Sequence, residues 1–200
     1  MPKPFTVHDK YFLKAKQENL RARSVFKLDG IQQRFHLVKS GQVLADLGAC
    51  PGSWSERLVQ WIGPKGHVYA FDLQPIDPLG PTVEIHQLDI TDAKALSALG
   101  MPPLDGVVAD LAPKTTGIHD ADAYHSAELN HAVLDFCEAY LKKGGYLITK
   151  IFQGEEFAEV VRRTKNLFKL VKCFKPDASR DRSRETYIIG TNFRGKFSSA

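Results

Sequence analysis

A strand, a turn that contains two glycines and a helix follow one another from residue 43, and this unit narrows the possible folds more than any other feature. The short apolar run Val43–Leu47 predicts a buried strand. Gly48 and Gly52 bracket the turn that follows, and the next helix is predicted to begin at Ser53. Ser53 and Glu56 have the spacing of a capping box, in which a hydroxyl and a carboxylate satisfy amides of the first turn. Such a unit is typical of α/β proteins.

Segments of strand and helix character alternate along the rest of the chain. Apolar residues recur every three or four positions over 22–37, which predicts a one-sided helix before the first strand. Further helices are predicted near 91–99, 122–142 and 155–166. The further predicted strands are His67–Asp72, Val83–Leu88, Asp105–Asp110, Gly145–Ile151, Leu167–Phe174 and Glu185–Thr191. We therefore predict a mostly parallel, seven-stranded sheet with helices on both faces and an antiparallel last strand, because the final connection is too short for a helical crossover.

The helix over 122–142 shows the clearest periodicity. The residues predicted to lie on its core-facing side are Leu129, Ala132, Val133, Phe136, Cys137, Tyr140 and Leu141. Cys137 is thus interpreted as a core residue rather than a nucleophile. The chain has three cysteines without a Cys-x-x-Cys pair, and its histidines lack metal-ligand spacing. We predict no metal site and a reducing compartment.

A length of 200 residues favours a single domain. We predict one domain over 1–200, with an N-terminal basic arm over 1–20 and a core over 40–191 that carries the candidate site. No apolar run is long enough to span a bilayer, and the N-terminus lacks the apolar segment of a signal peptide. A monomeric cytoplasmic protein without membrane contact is therefore expected.

Charge is distributed unevenly along the chain. Residues 1–39 contain nine Lys and Arg against three acids, and residues 162–184 contain nine against two. The segment 40–161 between them contains seven against seventeen. Two basic stretches that flank an acidic middle could fold together into one positive face suited to phosphate groups.

Acidic residues close successive predicted strands. Asp72 ends the second strand and Asp89 closes the third. In a doubly wound sheet, ligands bind beyond these strand ends, and a carboxylate after the second strand can accept bonds from both hydroxyls of a ribose. Gly48 and Gly52 let the backbone approach a ligand, but the turn lacks the G-x-G-x-x-G spacing of dinucleotide sites. A nicotinamide oxidoreductase is kept as an alternative.

This arrangement resembles the S-adenosylmethionine (SAM) site of the Rossmann-like methyltransferases. The residues that the resemblance assigns to the pocket of the methionine part are Gly48, Pro51 and Gly52. It further implies that Asp72 holds the ribose, that Asp89 reaches the adenine amino group and that Trp54 lines the entrance. The implied cofactor is SAM, and the implied product is S-adenosylhomocysteine.

Four further segments resemble the FtsJ/RrmJ family of RNA ribose 2′-O-methyltransferases, and the similarity extends from about residue 9 to residue 190. These segments are Arg23–Leu28, Val108–Pro113, Lys150–Gly154 and Lys175–Glu185. The family carries a Lys-Asp-Lys-Glu tetrad, which the motifs place at Lys27, Asp110, Lys150 and Glu185. Asp110 is also expected to touch the methyl end of the cofactor. The turn departs from the usual bacterial pattern at Cys50 and Ser53, where alanine and glycine are usual, and this affects only details of the cofactor pocket.

The tetrad suits methyl transfer to a hydroxyl. A ribose hydroxyl is a poor nucleophile at neutral pH, so a base that removes its proton as the new bond forms would help. Lys150 could serve as this base if it is partly neutral, and a protonated Lys150 that stabilises the incipient alkoxide is the alternative. Asp110 and Glu185 would hold the ammonium in place, whereas the nearby Lys27 would disfavour its charge.

The resemblance points to a uridine of 23S rRNA in the large (50S) ribosomal subunit as the methyl acceptor. A tRNA anticodon-loop 2′-O-methyltransferase is the alternative within the same class. An RNA-binding module that has lost catalysis is a third possibility, which the intact tetrad disfavours. The residues expected to contact RNA are Arg21, Arg23, Arg180, Arg182 and Arg184.

Overall fold

One sheet of seven strands organises the computed structural model, which describes residues 10–180 and 183–195. The strands are β1 (Val43–Leu47), β2 (His67–Asp72), β3 (Val83–Gln87), β4 (Leu104–Ala109), β5 (Leu141–Phe152), β6 (Phe168–Phe174) and β7 (Glu185–Phe193). Their order across the sheet is β3-β2-β1-β4-β5-β7-β6. Strands β1 to β5 pair in parallel, and β7 runs antiparallel between β5 and β6. The predicted fold class is confirmed.

Helices cover both faces of this sheet. They are α1 (Lys10–Gln17), α2 (Val25–Phe35), α3 (Ser53–Ile62), α4 (Ala93–Ala98), α5 (His119–Tyr140) and α6 (Phe157–Leu167). Helices α2 and α3 pack on one face, and α4, α5 and α6 pack on the other. This two-sided cover explains why the strands are apolar along most of their length.

The central strands contribute to a core on each face. Leu44 and Ile148 pack with α2 and α3, whereas their chain neighbours Ala45 and Leu147 pack toward α5. Successive side chains of a strand point to opposite faces, so a strand buried on both sides needs a continuous apolar run. Such runs stand out in the sequence, and the bounds predicted for β1 and β2 agree with the structure.

The start of α3 differs from the prediction in its cap. The helix begins at Ser53, but Gly52 is the N-cap, with a φ of 101°, and no side chain caps the helix. The Ser53 hydroxyl instead hydrogen-bonds the Ser24 hydroxyl at 3.0 Å. The capping box of Ser53 and Glu56 was therefore wrong, because a left-handed glycine ends the turn and a tertiary contact occupies the serine.

The segment before α2 contains a helix within the predicted N-terminal basic arm. Helix α1 lies inside the predicted arm over 1–20, and its Ala15 packs in a small cluster with Val25 and Phe26. Residues 1–9 lie outside the described residues. The bounds of arm and core stay a prediction.

The buried face of helix α5 matches the predicted one in part. Cys137, Val133 and Phe136 are buried as predicted, and burial raises the pKa of the Cys137 thiol. The residues predicted to face the core but found only partly buried are Leu129, Ala132 and Tyr140. The polar side chains of Ser126 and Asn130 are buried on the same helix. The periodicity could not identify these two residues, since their burial depends on hydrogen bonds to strand β5.

Candidate active site

Charged residues of several strands lie at one edge of the sheet. Asp72 ends β2, Asp110 follows β4, and Lys150 lies near the end of β5. Glu185 begins β7 and is paired with Phe152 of β5. Because β7 is antiparallel, its first residue lies where the parallel strands end. A further parallel strand would have carried its first residue to the opposite edge.

Lys150 is held by Asp110. Its Nζ donates to the Asp110 backbone carbonyl at 2.9 Å and lies 3.2 Å from the carboxylate Oδ1. The same Oδ1 accepts a 2.7 Å hydrogen bond from the Tyr187 hydroxyl. Burial and the nearby Asp110 raise the pKa of Tyr187, so the phenol stays protonated and remains a donor. The amino nitrogen of Lys150 is therefore fixed in position before any substrate arrives.

The second lysine forms its own buried ion pair. Lys27 Nζ lies 2.6 Å from Glu185 Oε1, and both side chains are about nine-tenths buried. Burial alone would raise the pKa of Glu185, but the charge and hydrogen bond of Lys27, together with the charge of Lys150, lower it below its ordinary value. The structure thus brings the four predicted tetrad residues together as two ion pairs. Their part in catalysis stays a prediction.

Trp54 does not line an entrance to this site. Its side chain is only 2% exposed, its indole N–H donates to the Ser24 carbonyl at 3.0 Å, and its ring stacks on Tyr187 with centroids 5.9 Å apart. The indole supports the Tyr187 ring, and through it the Asp110 carboxylate, from within the core. This burial could not be predicted from the residue type, because tryptophan is common both in cores and at the mouths of pockets.

The glycine turn after β1 is fastened to β2. The amides of Gly48 and Ala49 both donate to the Phe71 carbonyl, and the Cys50 amide donates to Asp72 Oδ2 at 2.9 Å. A Cβ on Gly48, whose φ is +77°, would lie 2.7 Å from the Leu111 side chain. These amides are already bonded, whereas a pyrophosphate site requires amides that point to the ligand. The turn therefore disfavours the nicotinamide alternative.

Asp46, which the sequence analysis did not select, lies fully buried beside the turn. Its Oδ2 accepts a 2.7 Å hydrogen bond from the Ser55 hydroxyl, and its Oδ1 has no hydrogen-bond partner among residues 10–180 and 183–195. Burial, together with the charges of Asp110 and Asp72, raises the pKa of Asp46 to about 7, against the lowering effect of the hydrogen bonds from Ser55. Three carboxylates thus converge on one region. The sequence feature that could have identified Asp46 is its position as the single acid inside the otherwise apolar run Val43–Leu47.

Asp46→Asn is expected to stabilise the fold at pH 8. The pKa of Asp46 is about 7 in the folded protein against an ordinary 3.8, so stability from protonation is full below 3.8 and is lost as pH rises through 7. Asparagine keeps the acceptor for Ser55 and removes the charge, so the unfolding free energy should rise by roughly 2–4 kcal/mol at pH 8.

Urea unfolding at several pH values measures this difference. The gain should shrink as the pH falls from 7 toward 4. Asp89→Asn makes the same change at an exposed position and is the control, with no comparable gain expected at pH 8. A gain that is the same at all pH values, or no gain at pH 8, would contradict a buried charged Asp46.

Asp72 and Asp89 occupy different environments. Asp72 is partly buried, and its two oxygens accept from the amides of Cys50 and Gln74. Asp89 is exposed, and its Oδ1 accepts from the amide and the hydroxyl of Thr91. Each carboxylate oxygen has two lone pairs, so Asp72 can accept further hydrogen bonds from a ligand. The proposed contacts of both acids with a cofactor stay predictions.

The predicted RNA-contacting arginines divide between two places. Arg21 donates to the carbonyls of Pro51 and Pro78, and so braces the glycine turn. Arg23 donates to the Ala178 carbonyl at 2.7 Å. Burial lowers the pKa of Arg23, and the charge of the nearby Arg180 lowers it further. Arg184 is exposed next to Glu185, and Arg182 lies outside the described residues.

A basic pocket adjoins the tetrad. It has a volume of about 500 Å³ and is lined by Arg23, Ser24, Lys27, Arg180, Ser183 and Glu185. The start of α2 and the loop before β7 therefore form one positive surface, as the charge pattern suggested. A larger cavity of about 790 Å³ lies beside α4 and α5 and contains none of the predicted site residues.

Not all of the second basic stretch joins this surface. Arg163 on α6 pairs with Asp135 and Glu138 of α5, and Lys165 lies exposed on the same helix. The predicted single positive face was therefore too broad, because the sum of charges over a segment does not show which side of a helix or strand carries them.

Sheet order, layer arrangement and the residues at the carboxyl edge define a Rossmann-like methyltransferase. The chain belongs to the FtsJ-like methyltransferase family, whose family model matches residues 20–193. A relative from Syntrophobacter fumaroxidans, named Ribosomal RNA large subunit methyltransferase E, is 42% identical over 193 residues that cover 95% of this chain and 98% of that protein. A relative of the same name from Oleidesulfovibrio alaskensis is 43% identical, with 94% and 92% covered.

Solved structures agree with the fold. A crystal structure from Plasmodium falciparum, described as a ribosomal RNA methyltransferase, has a TM-score of 0.76 and 26% identity, and covers 88% of this chain and all of that one. Aeropyrum pernix fibrillarin, whose crystal contains S-adenosyl-L-methionine, has a TM-score of 0.62 at 17% identity, with 86% and 75% covered. The second similarity concerns the fold alone.

Clusters of metal-ligating side chains and membrane-spanning helices are both absent from residues 10–180 and 183–195. They contain no group of three or more His, Cys, Asp or Glu side chains arranged to hold a metal ion. None of the described helices has the length and apolar character that a membrane span requires.

Proposed function

We propose that this protein transfers the methyl group of SAM to a ribose 2′-hydroxyl of large-subunit ribosomal RNA, at a uridine of 23S rRNA. The observation that carries the proposal is the pair of buried ion pairs, Lys27 with Glu185 and Lys150 with Asp110, at the strand edge where such folds bind ligands. The names of the relatives, which refer to large-subunit ribosomal RNA, support the choice of RNA.

The residues beside the turn fit a cationic cofactor. Asp46, Asp72 and Asp110 place three carboxylates close enough that two of them raise the pKa of the third. SAM carries a sulfonium and an ammonium group, and either charge would relieve the repulsion among these acids. Asp46 Oδ1, which lacks a hydrogen-bond partner among the described residues, lies in the same region. When bound, SAM would supply the methyl group on its sulfonium, with Asp72 holding the ribose and Asp89 the adenine.

The tetrad would act on the acceptor hydroxyl. Lys150 Nζ is fixed by two oxygens of Asp110, so a third direction at the nitrogen remains for the substrate. In one route Lys150 would be a neutral amine whose lone pair accepts the hydroxyl proton as the oxygen–methyl bond forms and the sulfur–methyl bond breaks. In the other it would be an ammonium that stabilises the negative charge developing on the oxygen, and the hydroxyl proton would pass to solvent water. The Lys27–Glu185 pair would border the acceptor site and hold the ribose in line with the methyl group.

The basic pocket beside Lys27 would hold the RNA backbone. Its lining includes Arg23, Arg180 and Lys27. One guanidinium group can donate two parallel hydrogen bonds to two oxygens of a phosphate. RNA affinity should then fall steeply with salt, whereas SAM affinity should barely respond. We further propose that the protein acts as a cytoplasmic monomer on the large (50S) subunit.

Reversal of the loop arginines should selectively weaken RNA capture. In the triple variant with Arg180, Arg182 and Arg184 changed to Glu, KM for RNA should rise at least about 10-fold, and the salt slope of log affinity should fall by up to about 3. Filter binding at two salt concentrations measures the slope, and calorimetry should give an unchanged SAM affinity.

A matched triple variant tests whether position or total charge matters. Changing Lys165, Lys169 and Lys172 to Glu makes the same charge change in the same basic stretch, at exposed positions on α6 and β6. Equal losses of RNA affinity in both triple variants, or none in either, would contradict the proposed RNA surface.

The transfer reaction distinguishes rRNA from tRNA. Labelled SAM is supplied with separated ribosomal subunits or bulk tRNA from cells that lack this protein, and the modified nucleotide is mapped. Label at a ribose of large-subunit rRNA is expected, and label only in tRNA would favour the anticodon-loop alternative.

A further inference from the structure

Strand β5 extends beyond its neighbour β4 at the edge that carries the site. The last pair between them joins Ala109 to Thr149, whereas β5 runs on to Phe152 with β7 on its other side. Residues 150–152 therefore pair with residues of β7 and with none of β4. Backbone groups that are buried need hydrogen-bond partners, so the side vacated by β4 must be satisfied in another way.

Helix α5 supplies those partners through two side chains. Asn130 Nδ2 donates to the Lys150 carbonyl at 2.9 Å, and the Phe152 amide donates to Ser126 Oγ at 3.0 Å. Residues 150 and 152 point their backbone groups to the same side of a strand. The helix side chains thus take the place of the strand that has ended, at the residue that bears the candidate catalytic ammonium.

The Asn130 amide is used almost completely. Besides the Lys150 carbonyl, Nδ2 donates to the Ser126 carbonyl at 2.8 Å, and Oδ1 accepts from the Thr149 hydroxyl at 2.8 Å. These bonds fix the orientation of the amide, since both of its protons and its oxygen have partners. Asn130 is 2% exposed on an otherwise mostly apolar helix face, where an apolar residue would avoid the cost of burying an amide.

The side of helix α5 that carries Ser126 and Asn130 also holds the segment after Asp110. Asp122, Ser126 and Asn130 are spaced by four residues, which places them on one side of the helix. The Asp122 carboxylate accepts from the amide and hydroxyl of Thr116 and from the Gly117 amide. One helix row thus fastens the end of β5 and the loop that follows Asp110.

We propose that Asn130 is a positioning residue for methyl transfer, which sets the place of the Lys150 ammonium through the Lys150 backbone carbonyl. The inference rests on the proposed function, because it takes Lys150 as the group that acts on the hydroxyl. Lys150 is 7% exposed and its Nζ contacts Asp110, so a shift of its backbone displaces the ammonium within a closely packed site. A displacement of about 1 Å at a reacting group can lower a rate by about 100-fold.

Asn130→Leu tests this role, because leucine has a similar volume and lacks the donor. The kcat at saturating SAM and RNA should fall about 10- to 100-fold, while KM for RNA and the dissociation constant of SAM change by less than about twofold. Val133→Ala is the matched control, since it removes packing on the same helix at a buried residue whose side chain cannot hydrogen-bond the β5 backbone, and it should lower stability with little effect on kcat.

Two further variants keep the test decisive. Ser126→Ala removes only the acceptor of the Phe152 amide and should lower kcat about 3- to 10-fold. It tests the same attachment of the end of β5 to helix α5 if Asn130→Leu does not fold. Thr149→Val removes the partner of Asn130 Oδ1 and leaves the bond to the Lys150 carbonyl, so it should lower stability more than kcat.

The outcomes separate the two proposals. Loss of kcat in the Asn130 or Ser126 variant, with parental KM and SAM binding, supports the positioning role. Parental kcat in both of these variants, or an equal loss in Val133→Ala, would overturn it and leave the proposed function standing. A parent protein that transfers no methyl group to RNA would overturn the proposed function and, with it, this inference.

Discussion

Lys150→Ala is expected to keep the fold and both binding activities while methyl transfer falls about 10²–10⁴-fold, the usual cost of removing a general acid or base. The ammonium of Lys150 is held by the backbone oxygen and the carboxylate of Asp110. Alanine removes the group that is proposed either to accept the proton of the acceptor hydroxyl or to stabilise its developing charge. Both routes open to Lys150 predict the loss.

Single-turnover rates with saturating enzyme measure the chemical step. Lys142→Ala is the matched control, because Lys142 lies at the other end of the same strand, is half exposed and pairs with Asp105. The control should transfer methyl groups at the parental rate. A near-parental single-turnover rate for Lys150→Ala would remove Lys150 from the role proposed for it.

Asp72→Ala should weaken SAM binding about 10- to 150-fold, because charge-assisted hydrogen bonds to the ribose contribute roughly 1.5–3 kcal/mol. The carboxylate ends β2 and already orients the Cys50 and Gln74 amides. Its loss would therefore remove a partner for the cofactor and loosen the turn at the same time. Calorimetric titration with SAM and with S-adenosylhomocysteine gives the affinities.

Asp77→Ala provides the control for this measurement. Asp77 is an exposed acid of the loop after β2. Burial and the charge of Asp72 raise the pKa of Cys50, and Asp77 lies close enough to raise it further. If the ribose bonds carry the effect, Asp77→Ala should bind SAM nearly as well as the parent. SAM affinity that is unchanged by Asp72→Ala would show that the assignment of Asp72 is wrong.

The strands and their order of appearance could be predicted because burial on both faces leaves a strong signal in the sequence. Val43–Leu47 and His67–Asp72 are such runs, and their bounds agree with the structure. The tetrad lysines and acids could be located by resemblance, since each lies in a short motif. Their geometry as two buried ion pairs could not be predicted from the sequence, because it depends on the antiparallel position of β7 next to β5.

The errors share a physical cause, which is that the environment of a polar or amphipathic side chain is set by distant parts of the chain. Ser53 bonds Ser24 rather than its own helix, and Trp54 lies beneath Tyr187 rather than at a pocket mouth. Asp46 and Asn130 are buried polar residues whose surroundings come from other elements. Local propensity and periodicity contain no information about such contacts.

Methyl transfer from labelled SAM to ribosomal subunits of cells that lack this protein tests the central claim most directly. The account predicts that the parent protein labels one ribose 2′-oxygen of large-subunit rRNA, at a uridine, and that Lys150→Ala leaves it unlabelled under the same conditions. Label on a base, label confined to tRNA, or equal labelling by both proteins would contradict the account.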